Sequence, residues 1–285
     1  MVDVVLVTAR DLPHGPDIES PLIVTALRDR GVEATVEPWG SAAASQGRLV
    51  VIRSTWDYTA HRDEFLEWAR QVAATTRLVN SADIIAWNSH KSYLLDMAYA
   101  GVPVVPTTLV AKGASVVDQS SALEEYTGQV VIKPAVSGGS RATVRVKAGD
   151  EDRGEAHLRS LAAREDVLVQ PYLASVEGHG ERAIVWVDGE PMHAVRKQPR
   201  FLGDAESVSA AVAIEADEAD LTRRAVAAAP GPLLYARVDV VRDAGGVPRV
   251  MELELIEPSL FFHQGPAALA RYVAAVEKRL LGSPV

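Results

Sequence analysis

Two short segments near the C-terminus carry the densest potential chemistry. Tyr235-Ala-Arg-Val-Asp-Val-Val and Met251-Glu-Leu-Glu-Leu both alternate apolar and charged residues. Side chains of an extended chain point alternately to two faces, so Arg237 and Asp239 share one face, as do Glu252 and Glu254. If residues 242 and 247 close a hairpin around Asp243-Ala-Gly-Gly246, Arg237 lies opposite Glu252 and Val238 opposite Met251. One face of that hairpin is apolar; the other gathers an arginine and three carboxylates. Like charges side by side repel unless cations intervene, so such a face wants a bound metal. Oxygen donors without cysteine or clustered histidine suit Mg²⁺ rather than Zn²⁺. The same alternation also fits a hairpin whose charged face is simply solvated.

Three further stretches could bind anions. Lys91 falls in the expected first turn of a helix, where the macrodipole disfavours a cation and a bound phosphate would offset the conflict. Lys133 ends an apolar run and is followed by Ser137-Gly138-Gly139-Ser140, whose glycines let several backbone N–H groups turn toward one ligand. Arg53, just after the buried run Leu49–Ile52, is placed at the carboxyl end of a strand, where an open α/β sheet binds ligands, and its fork suits a carboxylate. Trp56 and Asp57 then shape that pocket, with Asp17 and Glu19 as the alternative location. Each has a plainer alternative: a surface lysine, a hairpin turn, and an arginine packed on Trp56.

The composition narrows the function classes. The chain has 285 residues, 29 Lys+Arg against 38 Asp+Glu, a net charge of −9 and no cysteine. Disulfides, thiolate metal sites and thiol nucleophiles are excluded. An acidic chain without a basic tail argues against nucleic-acid or membrane partners, and the absence of a signal segment or long apolar run makes the cytoplasm the expected location. No GxxxxGK[ST], GxGxxG after the first strand, HExxH or GxSxG motif occurs.

Positioning these groups requires alternating elements. Strands are expected at Val4–Val7, Val32–Val36 and Leu49–Ile52, with helices from Ser20 to Arg30 and after Thr59, which gives a small parallel sheet over residues 1–86. A second unit, 87–173, opens with a helix capped by Asn88 or Ser89 and closed by Gly101. It continues with strands at Val130–Pro134, Thr143–Val146 and Val167–Gln170 and a helix from Glu151 to Arg164. The third unit, 174–285, holds hairpins around Asp188-Gly189 and Asp243–Gly246, helical residues Ala219–Ala229, and a last helix from Ala267 to Leu281. The fold class is α/β, grading to α+β in the C-terminal lobes.

In their order along the chain these features resemble the ATP-grasp carboxylate–amine ligases, a family that includes D-alanine–D-alanine ligase and glutathione synthetase. The resemblance covers the whole chain and implies an ATP-grasp fold behind an N-terminal Rossmann-like preATP-grasp domain. It implies that Lys91, Lys133 and Ser137, Gly138, Gly139 and Ser140 grip phosphates. Gln170, Tyr172 and Leu173 look like the adenine hinge, and Glu181 and Arg182 like ribose and phosphate contacts. Asp239, Glu252 and Glu254 look like ligands of two Mg²⁺ or Mn²⁺ ions, although the last position is usually Asn; Glu257 is the alternative to Glu254, with odd spacing that puts it on the other face if the strand stays regular. Arg237 is then the oxyanion-stabilising group, with Arg196 and Lys197 near the migrating phosphoryl. The segments VIRSTWDY, WNSHKSYLLDMAYAGVPVVPT and MELELIEPSLF are similar to the subgroup of D-cycloserine-forming cyclo-ligases, which close O-ureido-D-serine on itself. The implied partner is a small amino-acid-like molecule, with a homodimer as an allowed assembly. The alternatives are an intermolecular amino-acid ligase and a nucleotide-binding module without turnover.

Overall fold

The computed structural model describes residues 2–12, 15–197 and 207–282. The first sheet is parallel, in the order β2-β1-β3-β4, from β1 (Val4–Thr8), β2 (Ala34–Pro38), β3 (Leu49–Ser54) and β4 (Arg77–Val79). Its central strands are continuous apolar runs because both faces are covered. Val4, Leu6, Leu49 and Val51 pack with Ile23 and Leu27 of α1 (Ser20–Arg28), while Val5, Val7, Val50 and Ile52 pack with Phe65, Leu66 and Ala69 of α2 (Arg62–Thr75). Pro21 falls in the first turn of α1, where its missing N–H costs nothing.

Two short helices, α3 (Ala82–Asn88) and α4 (Tyr93–Tyr99), lead to the second sheet. That sheet is antiparallel, ordered β5-β8-β6-β7 from β5 (Thr108–Val110), β6 (Val130–Pro134), β7 (Val144–Val146) and β8 (Val167–Pro171). It packs on α5 (Val116–Glu124) and α6 (Glu151–Ala162). The third sheet, also antiparallel, runs β10-β9-β11-β12 from β9 (Glu181–Val187), β10 (Glu190–Lys197), β11 (Tyr235–Arg242) and β12 (Pro248–Glu254). One of its faces lies on α7 (Ala216–Ala227), and the other shares a core with α8 (Pro266–Leu281) and the first sheet. No described helix is long and apolar enough to cross a membrane.

Three departures from the sequence reading matter for the site. First, Lys91 is not in a first helical turn. Asn88 and Ser89 end α3, and Lys91 lies in the connection ahead of α4. Asn88 is used elsewhere: its amide donates to Leu253 O at 2.8 Å and accepts from Leu255 N at 2.8 Å. Tyr93 Oη accepts from Leu253 N at 3.0 Å, and Asn80 Nδ2 donates to Leu255 O at 2.7 Å. These side chains satisfy the outer edge of β12 as a neighbouring strand would.

Second, the β11–β12 register differs. The Asp243 carboxylate accepts from Gly245 N and Val247 N, so the turn keeps residue 247 and Arg242 pairs with Pro248. That one-residue slip alone would set charged residues against apolar ones. A bulge between Asp239 and Val240 adds a second residue of shift, and Asp239 faces Glu252 while Arg237 faces Glu254. Third, His61 rather than Thr59 precedes α2, because Trp56–Ala60 forms a single-turn helix of its own.

Candidate active site between the two antiparallel sheets

The bulge gathers Arg237, Asp239, Glu252 and Glu254 on one face, and that face is largely buried: Asp239 is fully buried and Arg237 is 4% exposed, while Glu252 and Glu254 are half-buried. Carboxylate oxygens of Asp239, Glu252 and Glu254 lie within 4.8 Å of one another. Arg237 donates to Asp239 from Nε at 2.8 Å and Nη2 at 2.9 Å, and Nη2 also reaches Glu254 Oε1. Lys197 Nζ lies 2.9 Å from Asp239 and 2.6 Å from Glu181. Lys91 Nζ pairs with Glu252 at 2.8 Å and donates to Ser137 O at 2.7 Å, tying the glycine-rich turn to the acidic face.

The balance of burial and charge splits the three carboxylates. Burial pushes Asp239 up, but Arg237 and Lys197 overcome it and hold the group well below the usual range. For Glu252 burial is overcome by Lys91 and Lys133, down to about 2. For Glu254 burial prevails over Arg237, and the charges of Asp239 and Glu252 add to it, giving about 7. Burial alone works against the charge on Lys197, yet Asp239 and Glu181 raise its pKa well above the lysine value. Lys133, 8% exposed, has its pKa lowered by burial, against the pull of Glu252. Its side chain makes no hydrogen bond among the described residues and shares a face of the second sheet with Gln170 by register.

Ser137 is buried at the base of the turn, and Gly139 and Ser140 both have φ of 58°. Only a residue without a side chain adopts this left-handed conformation freely, which is what Gly139 contributes. Gly138 faces Thr59, with a Cβ there 3.8 Å from its methyl, so the turn sits beside the Trp56–Ala60 helix. Gln170 donates to Thr107 Oγ1 at 2.8 Å, and Leu173 is half-buried at the end of β8. Tyr172 stacks under Arg145, 3.5 Å from ring centroid to guanidinium carbon, and donates to Glu177 at 2.8 Å.

Several expected residues point elsewhere. Neighbours on a strand face opposite ways, so Arg182 and Arg196 cannot join Glu181 and Lys197. Arg182 Nε lies 2.9 Å from Glu218 on α7, and Arg196 crosses Gly180 to donate to Gly178 O at 2.7 Å. Arg53 is 2% exposed and already holds a carboxylate, that of Glu19 at 3.0 Å. Asp57 accepts from Trp39 Nε1 at 2.7 Å and Arg10 N at 3.0 Å. Trp56 Nε1 donates to Glu257 O at 3.0 Å, alongside the segment that leaves β12. Because β12 ends at Glu254, strand parity does not govern Glu257. Burial, reinforced by Glu254, pushes its pKa well up, while Lys91 pulls it down. Glu257 thus lies in the field of the acidic face, because the strand does not stay regular to that position.

Comparison with known proteins accords with this geometry. Residues 95–238 match the ATP-grasp domain of prokaryotic glutathione synthetase, and residues 4–80 match the N-terminal domain of D-cycloserine synthetase DcsG. The fold also superimposes on D-alanine–D-alanine ligase from Bacillus anthracis with a TM-score of 0.71, over 99% of this chain and 98% of that one, at 14% identity. The chain is an ATP-grasp ligase, a member of a superfamily that uses ATP and Mg²⁺ to form C–N bonds. It is 35% identical to the cycloserine biosynthesis protein DcsG of Streptomyces lavendulae, across 93% of this chain and 94% of that protein. The crystal structure of D-cycloserine synthetase DcsG superimposes with a TM-score of 0.87 and 32% identity, covering 97% of this chain and 99% of that one. The chain therefore belongs to the D-cycloserine synthetase family of ATP-grasp ligases.

Proposed function

We propose that this ligase closes a single amino-acid derivative on itself, most simply O-ureido-D-serine toward D-cycloserine, through an acyl phosphate with release of ADP and phosphate. The observation that carries the reading is the convergence of Lys91, Lys133, Lys197 and Arg237 on three carboxylates beside a glycine-rich turn. The full-length similarity to DcsG adds the substrate class. In this reading the enzyme acts in the cytoplasm, residues 1–86 receive the substrate, 87–173 form the small lobe and 174–285 form the large lobe.

Lys91, Lys133 and the Ser137–Ser140 amides grip the triphosphate, and anionic oxygens replace the contacts that Lys91 now makes to Glu252 and Ser137. Gln170, Tyr172 and Leu173 border the adenine, and Glu181 meets the ribose. Three hard oxygen donors on one face fit a divalent cation. Asp239, Glu252 and Glu254 would hold Mg²⁺, two ions in this reading, which when bound neutralises the triphosphate and orders donor and acceptor oxygens. Lys197, anchored by Asp239 and Glu181, faces the migrating phosphoryl. The γ-phosphoryl passes to the substrate carboxylate, and the ureido nitrogen bonded to oxygen attacks the acyl carbon and expels phosphate; water then removes the carbamoyl group as carbon dioxide and ammonia, which leaves D-cycloserine. Arg237 faces the oxyanion that forms in that attack. The buried setting keeps water from the acyl phosphate.

The test is phosphate release with ATP, Mg²⁺ and single or paired amino-acid substrates. O-ureido-D-serine alone should support turnover, with one equivalent of ADP per cyclised product. Release that requires two different amino acids would instead establish an intermolecular ligase.

A further inference from the structure

Beyond β12 the chain crosses the end of the acidic face and is pinned there by groups of the first sheet and α1. Glu19, 6% exposed, precedes α1; its Oε2 accepts from Leu260 N at 2.8 Å and its Oε1 from Phe262 N at 2.9 Å. Arg53 Nη2 lies 3.0 Å from Glu19 Oε2 and donates to Pro258 O at 3.2 Å. Asp17 accepts from Ser54 Oγ at 2.6 Å beside them. Between the two gripped amides stands Phe261, with φ of +49°, a left-handed conformation that a bulky residue keeps only when its surroundings enforce it. Its ring centroid lies 5.7 Å from the Arg237 guanidinium carbon, within cation–π range.

A buried carboxylate that spends both oxygens on the amides flanking one strained residue does more than fill a core. An apolar residue could pack there without the desolvation cost. We propose that Glu19 is a positioning residue for Arg237: by holding Leu260 N and Phe262 N it keeps Phe261 in its left-handed conformation, with the ring against the guanidinium. The oxyanion-facing group is thus fixed from the N-terminal unit as well as from its own sheet. Arg53, through Nη2 on Glu19 Oε2, keeps that carboxylate aimed at the two amides. This inference rests on the role proposed above for Arg237.

The test compares Phe261→Leu, Phe261→Tyr and Glu19→Gln with the wild type in two readouts. One is hydrogen exchange at the Arg237 Nε–H, followed by ¹⁵N NMR without nucleotide or substrate. The other is kcat beside ADP affinity. Phe261→Leu and Glu19→Gln should each speed that exchange about tenfold and lower kcat about tenfold, with ADP affinity within about twofold of wild type. Phe261→Tyr, which keeps the ring, should match the wild type in both. If Glu19→Gln fails to fold, the Leu and Tyr variants at 261 decide. Wild-type exchange in a folded Phe261→Leu overturns the proposal. A wild type inactive on every substrate offered would tell against the proposed function, and the exchange comparison would still decide the positioning role.

Discussion

Among the described residues, two carboxylate-rich clusters lie in the C-terminal half, and they differ in what neutralises them. Asp239, Glu252 and Glu254 form one; His179, Glu215 and Glu218 form the other, with ligand-type atoms equally close, within 4.8 Å. The second is held by its own helix start and by arginines. Glu215 and Glu218 cap the first turn of α7 reciprocally, Arg182 lies 2.9 Å from Glu218, and Arg242 lies 2.8 Å from Glu215. Its oxygens are committed to a helix start and to arginine forks that hold fixed geometry. The first cluster draws two lysines from remote parts of the chain, Lys91 before α4 and Lys197 on β10, with Lys133 close by. A lysine is a compact charge on a flexible stem and can change partners when an anion arrives. Nearness of carboxylates therefore does not define a site; what sets the first cluster apart is the lysines that join the Arg237 fork on Asp239.

The sharpest break between the clusters is expected in paired substitutions. Asp239→Asn and Glu252→Gln should each lower kcat by about a thousandfold or more while the protein stays folded. Glu218→Gln should leave kcat within a fewfold and cost about 3–5 kcal/mol in stability, because it strands buried arginine charge. Turnover and urea midpoints for the three variants measure this, and an inactive but fully stable Glu218→Gln would erase the distinction.

Next in size are the lysines. Lys91→Ala and Lys133→Ala should each weaken ADP binding by about 1.5–3 kcal/mol in calorimetric titration, the range for hydrogen bonds to charged groups. Wild-type affinity in both would remove the phosphate role.

A smaller effect concerns pH in the presence of chelator. Glu254 has its pKa raised in the folded state, chiefly by burial, to about 7. Between the ordinary carboxylate range and pH 7 the native state therefore binds more protons than the unfolded chain, and this group's stabilisation, complete at low pH, is lost as pH rises toward 7. Melting temperature in chelator should carry a downward component over that interval, and Glu254→Gln should flatten it. An identical pH profile in the variant would reject the raised pKa. Smallest of all is Arg196→Ala, expected to leave kcat/KM within about twofold, since its side chain lies over Gly180, away from the acidic face.

The acidic face was legible because period-two alternation records which residues share a side, whatever the register. The register itself was not, since the Asp243 turn and the bulge after Asp239 depend on hydrogen bonds that composition does not encode. The same parity rule separates Arg182 from Glu181 and Arg196 from Lys197. β4 and β5 have three residues each, too few to show a period, and the polar α5 hides among loop-like residues. Ser81, whose side chain caps α3 at Ile84 N, was a readable start signal. Arg53 illustrates the limit: its place at a strand end was read correctly, but a distant Glu19 supplies its carboxylate.

The central claim is that the Asp239–Glu252–Glu254 face, and not the neighbouring cluster, holds the divalent metal with nucleotide. Titration of Mn²⁺ in the presence of ADP, followed by electron paramagnetic resonance of the free ion, measures this without any turnover. The wild type and Glu215→Gln should remove free Mn²⁺ with the same affinity and stoichiometry. Asp239→Asn should lose most of that binding, by about tenfold or more in affinity. Unchanged binding in Asp239→Asn, or its loss in Glu215→Gln, would contradict the account.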